Sequence, residues 1–225
     1  MKSFCMTVVL LALAATSPGS QNAKQYNPRV PTVSFDLVWA QVTPQEFIVR
    51  TQADGPSSYL SRNPLKPAQP REEKEADYTV DFTMSPNDAR RIFKWAQQAN
   101  YFNGNFDYTA HPIANTGKKI LTYADQTRHF QTVYNHSENK AIQQLTALFQ
   151  SISSTIEFGR KLQFKHKYDK LGLEDELRAM EDAADSHNLA EIQVIAPTLK
   201  SIVDDDSVLN IARRRAKHLL ALAAK

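Results

Sequence analysis

The chain has 225 residues, of which 27 are Lys or Arg and 24 are Asp or Glu, for a formal net charge of +3. With 42% hydrophobic and 23% charged residues it has the composition of a folded globular protein, not a disordered or fibrous one. Six glycines exclude a collagen-like or glycine-rich build, and so small a positive excess over this length announces no nucleic-acid partner.

Lys2, the uncharged run Met6 to Ala15 and the small residues Thr16-Ser17-Pro18-Gly19-Ser20 follow the three-part plan of a secretory signal peptide, placed at residues 1–23. The apolar run is short for a bilayer, and an uncleaved N-terminal anchor is the competing reading. No later run reaches the roughly 18 apolar residues that a crossing needs, so no transmembrane span is expected in the mature chain. The single cysteine, Cys5, precedes the apolar run and so cannot be the lipid-bearing residue of a lipoprotein. A mature chain without cysteine is unusual for an exported eukaryotic protein of this size and favours a bacterial one, periplasmic or secreted. It also removes thiol nucleophiles and zinc–thiolate sites.

Between Lys24 and Pro70 lie Pro28, Pro31, Pro44, Pro56, Pro64, Pro67 and Pro70, a spacing no helix survives. Val33, Phe35, Leu37 and Trp39 alternate with more polar neighbours and predict a strand. Phe47 to Thr51 and Ser57 to Ser61 predict two more around the turn signal Asp54-Gly55. Arg62 to Ala76, charged and proline-bearing, reads as a mobile hairpin tip. Tyr78, Val80, Phe82 and Met84 form the clearest alternation.

Ser85-Pro86-Asn87-Asp88 then starts a helix whose stripe is Ala89, Ile92, Phe93, Ala96 and Ala99. After a loop, Lys119 to Ala124 and Arg128 to Tyr134 predict a hairpin around Asp125-Gln126. Ser137 is expected to cap a long helix striped by Ile142, Leu145, Phe149, Ile152 and Ile156, with Gly159 interrupting it. Beyond Leu171 three helices are expected: Leu173 to Asp185, Leu189 to Val203 and Ser207 to Ala224. Asp204-Asp205-Asp206 is expected to begin the last, with Arg213 to Arg215 towards its end, both signs suiting the helix dipole.

This order predicts an α+β fold: an antiparallel sheet of about five to six strands covered by two helices, followed by a C-terminal all-helical appendage. The domain organisation is a signal peptide (1–23), an α+β domain (24–170) with a mobile loop (62–76), and a helical segment (171–225) packed on it. The strand, Ser-Pro-x-Asp helix, aromatic pair, hairpin and closing helix from Asp77 to Phe158 carry a likeness in Val80, Phe82, Ser85, Ala89, Phe93, Tyr101, Phe102 and the Lys119–Tyr134 hairpin. On these residues the segment resembles a group of exported bacterial domains of unknown function. The resemblance implies a fold and an exported location, and no activity.

Candidate chemistry is sparse. Asn115-Thr116-Gly117-Lys118 resembles the end of a phosphate loop, but Pro112 stands where the first glycine belongs and Lys119 where the magnesium-binding hydroxyl belongs. Asp107, Tyr108, His111 and Asn115 form the densest polar set, on a loop between helix and hairpin. Asp107 and His111, four apart, are the catalytic candidates as base and orienter, with ordinary loop hydrogen bonding as the plainer account. Tyr108 and Asn115 are candidate binding residues.

The six histidines show no metal-ligand spacing, and no metal or cofactor is expected. Asn135-His136-Ser137 matches a glycosylation sequon, which matters only in a eukaryotic secretory route. Two basic stretches, one with Lys161 and Lys165 and one with Arg213 and Arg214, are candidates for binding an anionic surface, against helix-end charge and a solvated face. The expected function is a non-catalytic binding or interaction module of the cell envelope, with an envelope protein or anionic surface as partner. The alternative is a hydrolase or transferase built on Asp107 and His111.

Overall fold

The computed structural model describes residues 29–63 and 77–223. The predicted signal segment, and nearly all of the predicted hairpin tip, lie outside the described residues.

Six strands form one antiparallel sheet: β1 (Thr32–Val38), β2 (Glu46–Gln52), β3 (Pro56–Arg62), β4 (Tyr78–Thr83), β5 (Lys118–Ala124) and β6 (His129–Tyr134), in the order β4-β3-β2-β1-β5-β6. Phe35 on the central strand lies opposite Val49 on one side and Leu121 on the other. That register gathers Val33, Phe35, Leu37, Phe47, Val49, Tyr59, Leu121, Tyr123 and Tyr134 on one face, all buried. A slip of one residue in any strand would turn its apolar set to the opposite face, so the period-two pattern and the register enforce each other.

Two helices cover that face. In α1 (Pro86–Gln98) the Ser85 side chain accepts from Asp88 N at 3.2 Å and Pro86 occupies the first turn. In α2 (Lys140–Tyr168) the cap is Asn139, not Ser137: Asn139 Oδ1 accepts from Ala141 N (3.0 Å) and Ile142 N (3.2 Å), while Ser137 Oγ accepts from Asn139 N. Nor does Gly159 interrupt α2, which runs unbroken for 29 residues. A Cβ at Gly159 would collide with the side chain of Ile195, so the glycine is there for close approach and not for a break.

The C-terminal region contains α3 (Leu173–Asp185), a 3₁₀ turn at Ile192–Ile195, α4 (Ala196–Asp204) and α5 (Asn210–Leu222). The expected helix from Leu189 to Val203 is therefore shortened. Glu191 sits at φ 58°, a left-handed conformation that ends any helix, and α4 starts afresh with a proline in its first turn. Asp204-Asp205-Asp206 does not begin the last helix. Asp204 closes α4, and the Asp205 carboxylate is taken by Lys170, His166 and Ser207, leaving α5 to start three residues after Ser207.

Two apolar cores result. One joins the sheet to α1 and to α2 as far as Ile156. The other is made of Leu162 from α2 with Leu173, Leu177, Met180, Leu199, Ile202, Val208, Ala212, Ala216 and Leu219. The fold is α+β, and among the described residues no helix is long and apolar enough to cross a membrane.

Candidate functional site

Where β1 ends, residues Trp39 to Gln45 form a tight loop. Trp39 N donates to Gln45 O (2.8 Å), Val42 N to Trp39 O (3.3 Å) and Gln45 Nε2 to Ala40 O (3.3 Å). Gln45 N donates to Asn63 Oδ1 at 3.1 Å, tying the loop to the end of β3. The Thr43–Pro44 peptide is cis. Gly117, at φ +92°, closes against the base of the tryptophan: a Cβ there would stand 2.7 Å from Trp39 Cβ and 3.1 Å from Cγ. Glycine is required twice over, by the dihedral and by the contact. Trp39 is thus held from both its own loop and the start of β5.

Three cavities meet at Trp39. One, about 490 Å³, is bounded by Gln41, Asp107, Asn115, Lys118, Val133 and Asn135. A second, about 380 Å³, lies over Thr116, Tyr134, Ile142, Gln143, Thr146 and Gln150. The third, about 400 Å³, lies between the loop and the middle of α2 against Leu37, Phe47, Gln150, Ser154, Glu157 and Lys161. Together they make up the groove at Trp39, round one end of the sheet: the first opens on the face away from the helices, beside Val38, Lys118 and Val133, and the other two on the helix-covered face, sharing Gln150. Such a mixture of apolar walls and a few placed polar groups is the ordinary make-up of a small-molecule site.

A buried polar cluster borders the third cavity. Glu157 Oε1 accepts from the Tyr59 hydroxyl (2.9 Å) and from Ser61 Oγ (2.6 Å), and Tyr59 Oη is 3.0 Å from Ser153 Oγ. Burial pushes the Tyr59 phenol far above its ordinary value, and the Glu157 charge adds to this. Tyr59 therefore stays a hydrogen-bond donor at any physiological pH, fixing one oxygen of Glu157. The other oxygen, Oε2, is 3.9 Å from Arg160 Nη1.

The loop carrying Asp107 serves a structural end. Asp107 Oδ1 accepts from Asn135 N (2.8 Å) and, more weakly, His136 N (3.4 Å), while Tyr108 N donates to His136 O (2.8 Å). Asn135 Oδ1 in turn accepts from Thr116 N at 2.8 Å, and Asn115 Oδ1 from Gly117 N at 2.9 Å. Lys119 is buried, its Nζ donating to Asn135 O (2.8 Å) and to Thr116 Oγ1 (2.9 Å) and O (3.0 Å). Burial lowers its ammonium pKa, against the opposing charge of Asp107. The segment from Asn105 to Lys119 is pinned by these bonds to the end of β6.

His111 is exposed at the outer part of this loop, its ring 6.3 Å from that of Tyr108. No hydrogen bond joins it to Asp107, whose carboxylate is engaged with backbone amides. Of the four loop candidates, Asp107 and Asn115 border the groove. Lys161 also borders it, on the far side, with its Nζ 3.5 Å from Glu176 and 5.5 Å from the Phe158 ring. Lys165 lies further along α2 beside Asp169, at 3.7 Å. Arg213 and Arg214 border a separate cavity of about 600 Å³ among the C-terminal helices, where Arg213 Nε donates to Val203 O and its Nη2 is 2.8 Å from Asp206. The binding candidates thus fall in three places and not one.

Sequence reasoning passed over Trp39 and Glu157. Glu157 is the sole acid in the 29 residues of α2, which is a signal of a buried or functional carboxylate. Trp39 gave no such signal, because its setting depends on Gly117 in a distant turn. Among the described residues no group of three His, Cys, Asp or Glu side chains converges as a metal site. In comparison with known proteins, the chain matches no family model and no curated protein.

Proposed function

We propose that this is a non-catalytic binding module of a bacterial cell envelope, taking a small amphipathic ligand in the groove at Trp39. The observation that supports it best is the convergence of three cavities on one tryptophan fixed by Gly117 and by its own loop. A ligand bound there has apolar surface in Trp39, Leu37 and Phe47 and polar groups in Gln150, Ser154 and Lys161. A fixed groove binds without the entropy cost of ordering its walls. Export is supported by Lys2, the apolar run and the small residues after it, and a bacterial rather than a eukaryotic host by a mature chain free of cysteine.

Native mass spectrometry of the protein recovered from its own host is the direct test. A retained small molecule, lost on Trp39→Ala, supports the reading. The chain has two tryptophans, and Trp95 is covered by Arg91 at 4.8 Å, so a ligand in the groove changes the fluorescence of Trp39 in a Trp95→Phe background. A bare protein whose Trp39 fluorescence ignores its host's small-molecule extract overturns it. For export, the recovered N-terminus is expected between about Pro18 and Lys24, and intact Met1 in a membrane fraction would overturn cleavage.

A further inference from the structure

The polar groups at Trp39 have a pattern of their own, and it runs along α2. Gln143, Ala147, Gln150 and Ser154 follow one another at spacings of four, three and four residues, so they fall on one line of the helix, about 16 Å long. All four are exposed. This line lies beside the buried stripe of Ile142, Leu145, Phe149 and Ile152 that holds α2 to the sheet. Gln143, Ala147 and Gln150 border one of the two cavities on the helix-covered face, and Gln150 and Ser154 border the other. Trp39 and Gln150 line both, so an aromatic ring and an amide stand at the junction.

What these groups offer a ligand is neutral. Gln150 and Ser154 of α2, and Thr43 of the Trp39 loop, make no side-chain hydrogen bond to any described residue, and neither does the Trp39 indole N–H. Gln143 donates its Nε2 to Ser137 O at 2.9 Å and keeps its Oε1. Amides and hydroxyls both donate and accept. The charged side chains at the same two cavities are already paired. Lys119 is buried with its Nζ on Asn135 O and Thr116, Glu157 Oε1 holds Tyr59 and Ser61, its Oε2 lies 3.9 Å from Arg160, and Lys161 stands 3.5 Å from Glu176. The exposed His136 ring meets that of Tyr108 edge-on at 6.0 Å. A ligand with many hydroxyls and no charge is what this set matches.

We infer that the groove at Trp39 takes a neutral oligosaccharide, one sugar ring stacked on Trp39 and its neighbours running along α2 from Gln143 to Ser154. This rests on the reading of the groove as a ligand site and names the class of ligand. A pyranose ring has C–H groups on its faces, slightly positive beside the ring oxygen, that suit the negative face of an indole, and it has hydroxyls round its rim. Trp39 is fixed before binding by Gly117 and by its own loop, so the stacking face needs no ordering. Sugar hydroxyls donate to Gln143 Oε1 and exchange hydrogen bonds with Gln150, Ser154 and Thr43. The row spans two cavities, so the ligand is longer than one sugar. An acyl chain fits less well, because the α2 side of both cavities is a row of exposed amides and a hydroxyl instead of an apolar wall.

Titration of Trp39 fluorescence in the Trp95→Phe full mature chain tests this, with isothermal titration calorimetry of the unaltered chain beside it. The probes are cellotetraose, maltotetraose and the tetramer of N-acetylglucosamine, against tetragalacturonate, octanoate and octylamine. At least one neutral tetramer is expected to bind with a Kd below about 1 mM, and its own monosaccharide at least about tenfold more weakly. In calorimetry Gln150→Ala and Ser154→Ala should each weaken that tetramer about three- to tenfold, as the loss of one neutral hydrogen bond does, and Trp39→Ala should abolish binding. Both α2 positions are exposed and alanine suits a helix, so these variants keep the fold. If octanoate, octylamine or a molecule of the host extract binds and no neutral tetramer does, the oligosaccharide is overturned while the groove stands as a ligand site. Tetragalacturonate binding more tightly than every neutral tetramer likewise overturns it. If nothing changes Trp39 fluorescence, host extract included, the groove and the oligosaccharide fall together. A tetramer held as tightly by the Gln150→Ala, Ser154→Ala double variant overturns the placing along α2.

Discussion

The sheet half and the C-terminal helical half are ordered by different means. In the first, aromatic rings interlock: Phe35 stacks on Phe149 at 5.4 Å and 3°, and Phe47 on Tyr59 at 6.1 Å. Its ion pairs are mostly local, such as Arg91 with Asp88 and Arg128 with Asp125. In the second half the core side chains are Leu, Ile, Met, Val and Ala, and beside local pairs such as Arg178 with Asp175 and Lys200 with Asp204 there are ion pairs that join separate helices. Arg215 of α5 meets Glu174 and Glu181 of α3, Lys161 of α2 meets Glu176 of α3, and Lys170 and His166 meet Asp205 after α4. Strand register and ring shape give the sheet half a single arrangement. Aliphatic helices can slide and rotate against one another, and charges across the seams select one of the arrangements.

Substitutions sharpen or break this contrast. Phe149→Ala, which removes a ring stacked at the centre of the sheet core, is expected to cost about 4 kcal/mol in denaturant unfolding. Leu199→Ala in the helical core is expected to cost about 3 kcal/mol. Because α2 supplies side chains to both cores, both variants should shift one shared transition; two separate transitions would show the halves to be independent.

Gly159→Ala adds a methyl against Ile195, and the overpacking, about 2 kcal/mol, outweighs the roughly 1 kcal/mol that alanine gains in helix propensity. A more stable variant would mean that Ile195 moves aside and the halves are loosely joined. Smallest is Glu191→Gln. Glu191 is buried between the halves, accepting from Ser85 N at 2.9 Å, and its carboxyl is raised by burial and by Asp88 while bonds from Ser85 oppose this. A raised carboxyl contributes stability that is full below its unfolded value near 4.3 and is lost as pH rises through the folded value. Glutamine escapes that loss, so the variant should have the higher midpoint near pH 7.5, with the gain fading towards pH 4.

All six strands were legible because each places alternate residues against one helical layer, and period-two patterns record that. The hairpin at Lys119–Tyr134 and the Ser85 cap were readable for the same local reason. The Ser137 cap was missed by two residues, a local matter, since Asn139 takes the first amides of α2; two other errors had non-local causes. Gly159 reads as a break until Ile195, from another segment, is seen to need its space. Asp204-Asp205-Asp206 reads as a helix start until Lys170 and His166 claim the middle carboxylate. The groove was the least legible part: Trp39, Gly117 and Glu157 carry ordinary local signals, and only the pairing of β1 with β5 and the placement of α2 bring them together. Asp36, whose Oδ1 is closed to solvent and accepts no hydrogen bond from any described residue, is of the same kind, since a charged residue alternating in a strand reads as solvated until its neighbours across the register are known to be Ile48 and Ile120.

The unbroken passage of α2 through both cores has a consequence for amide exchange. A helix seated in one core loses its protection whenever that core opens. Here, opening the helical core leaves the turns around Phe149 and Ile152 clasped by the sheet, and opening the sheet core leaves those around Leu162 clasped by α3 and α4. The amides between these turns are released to deuterium only when both cores open together. They should be the slowest in the molecule, exchanging at the rate of global unfolding, with protection falling away towards Asn139 and Tyr168.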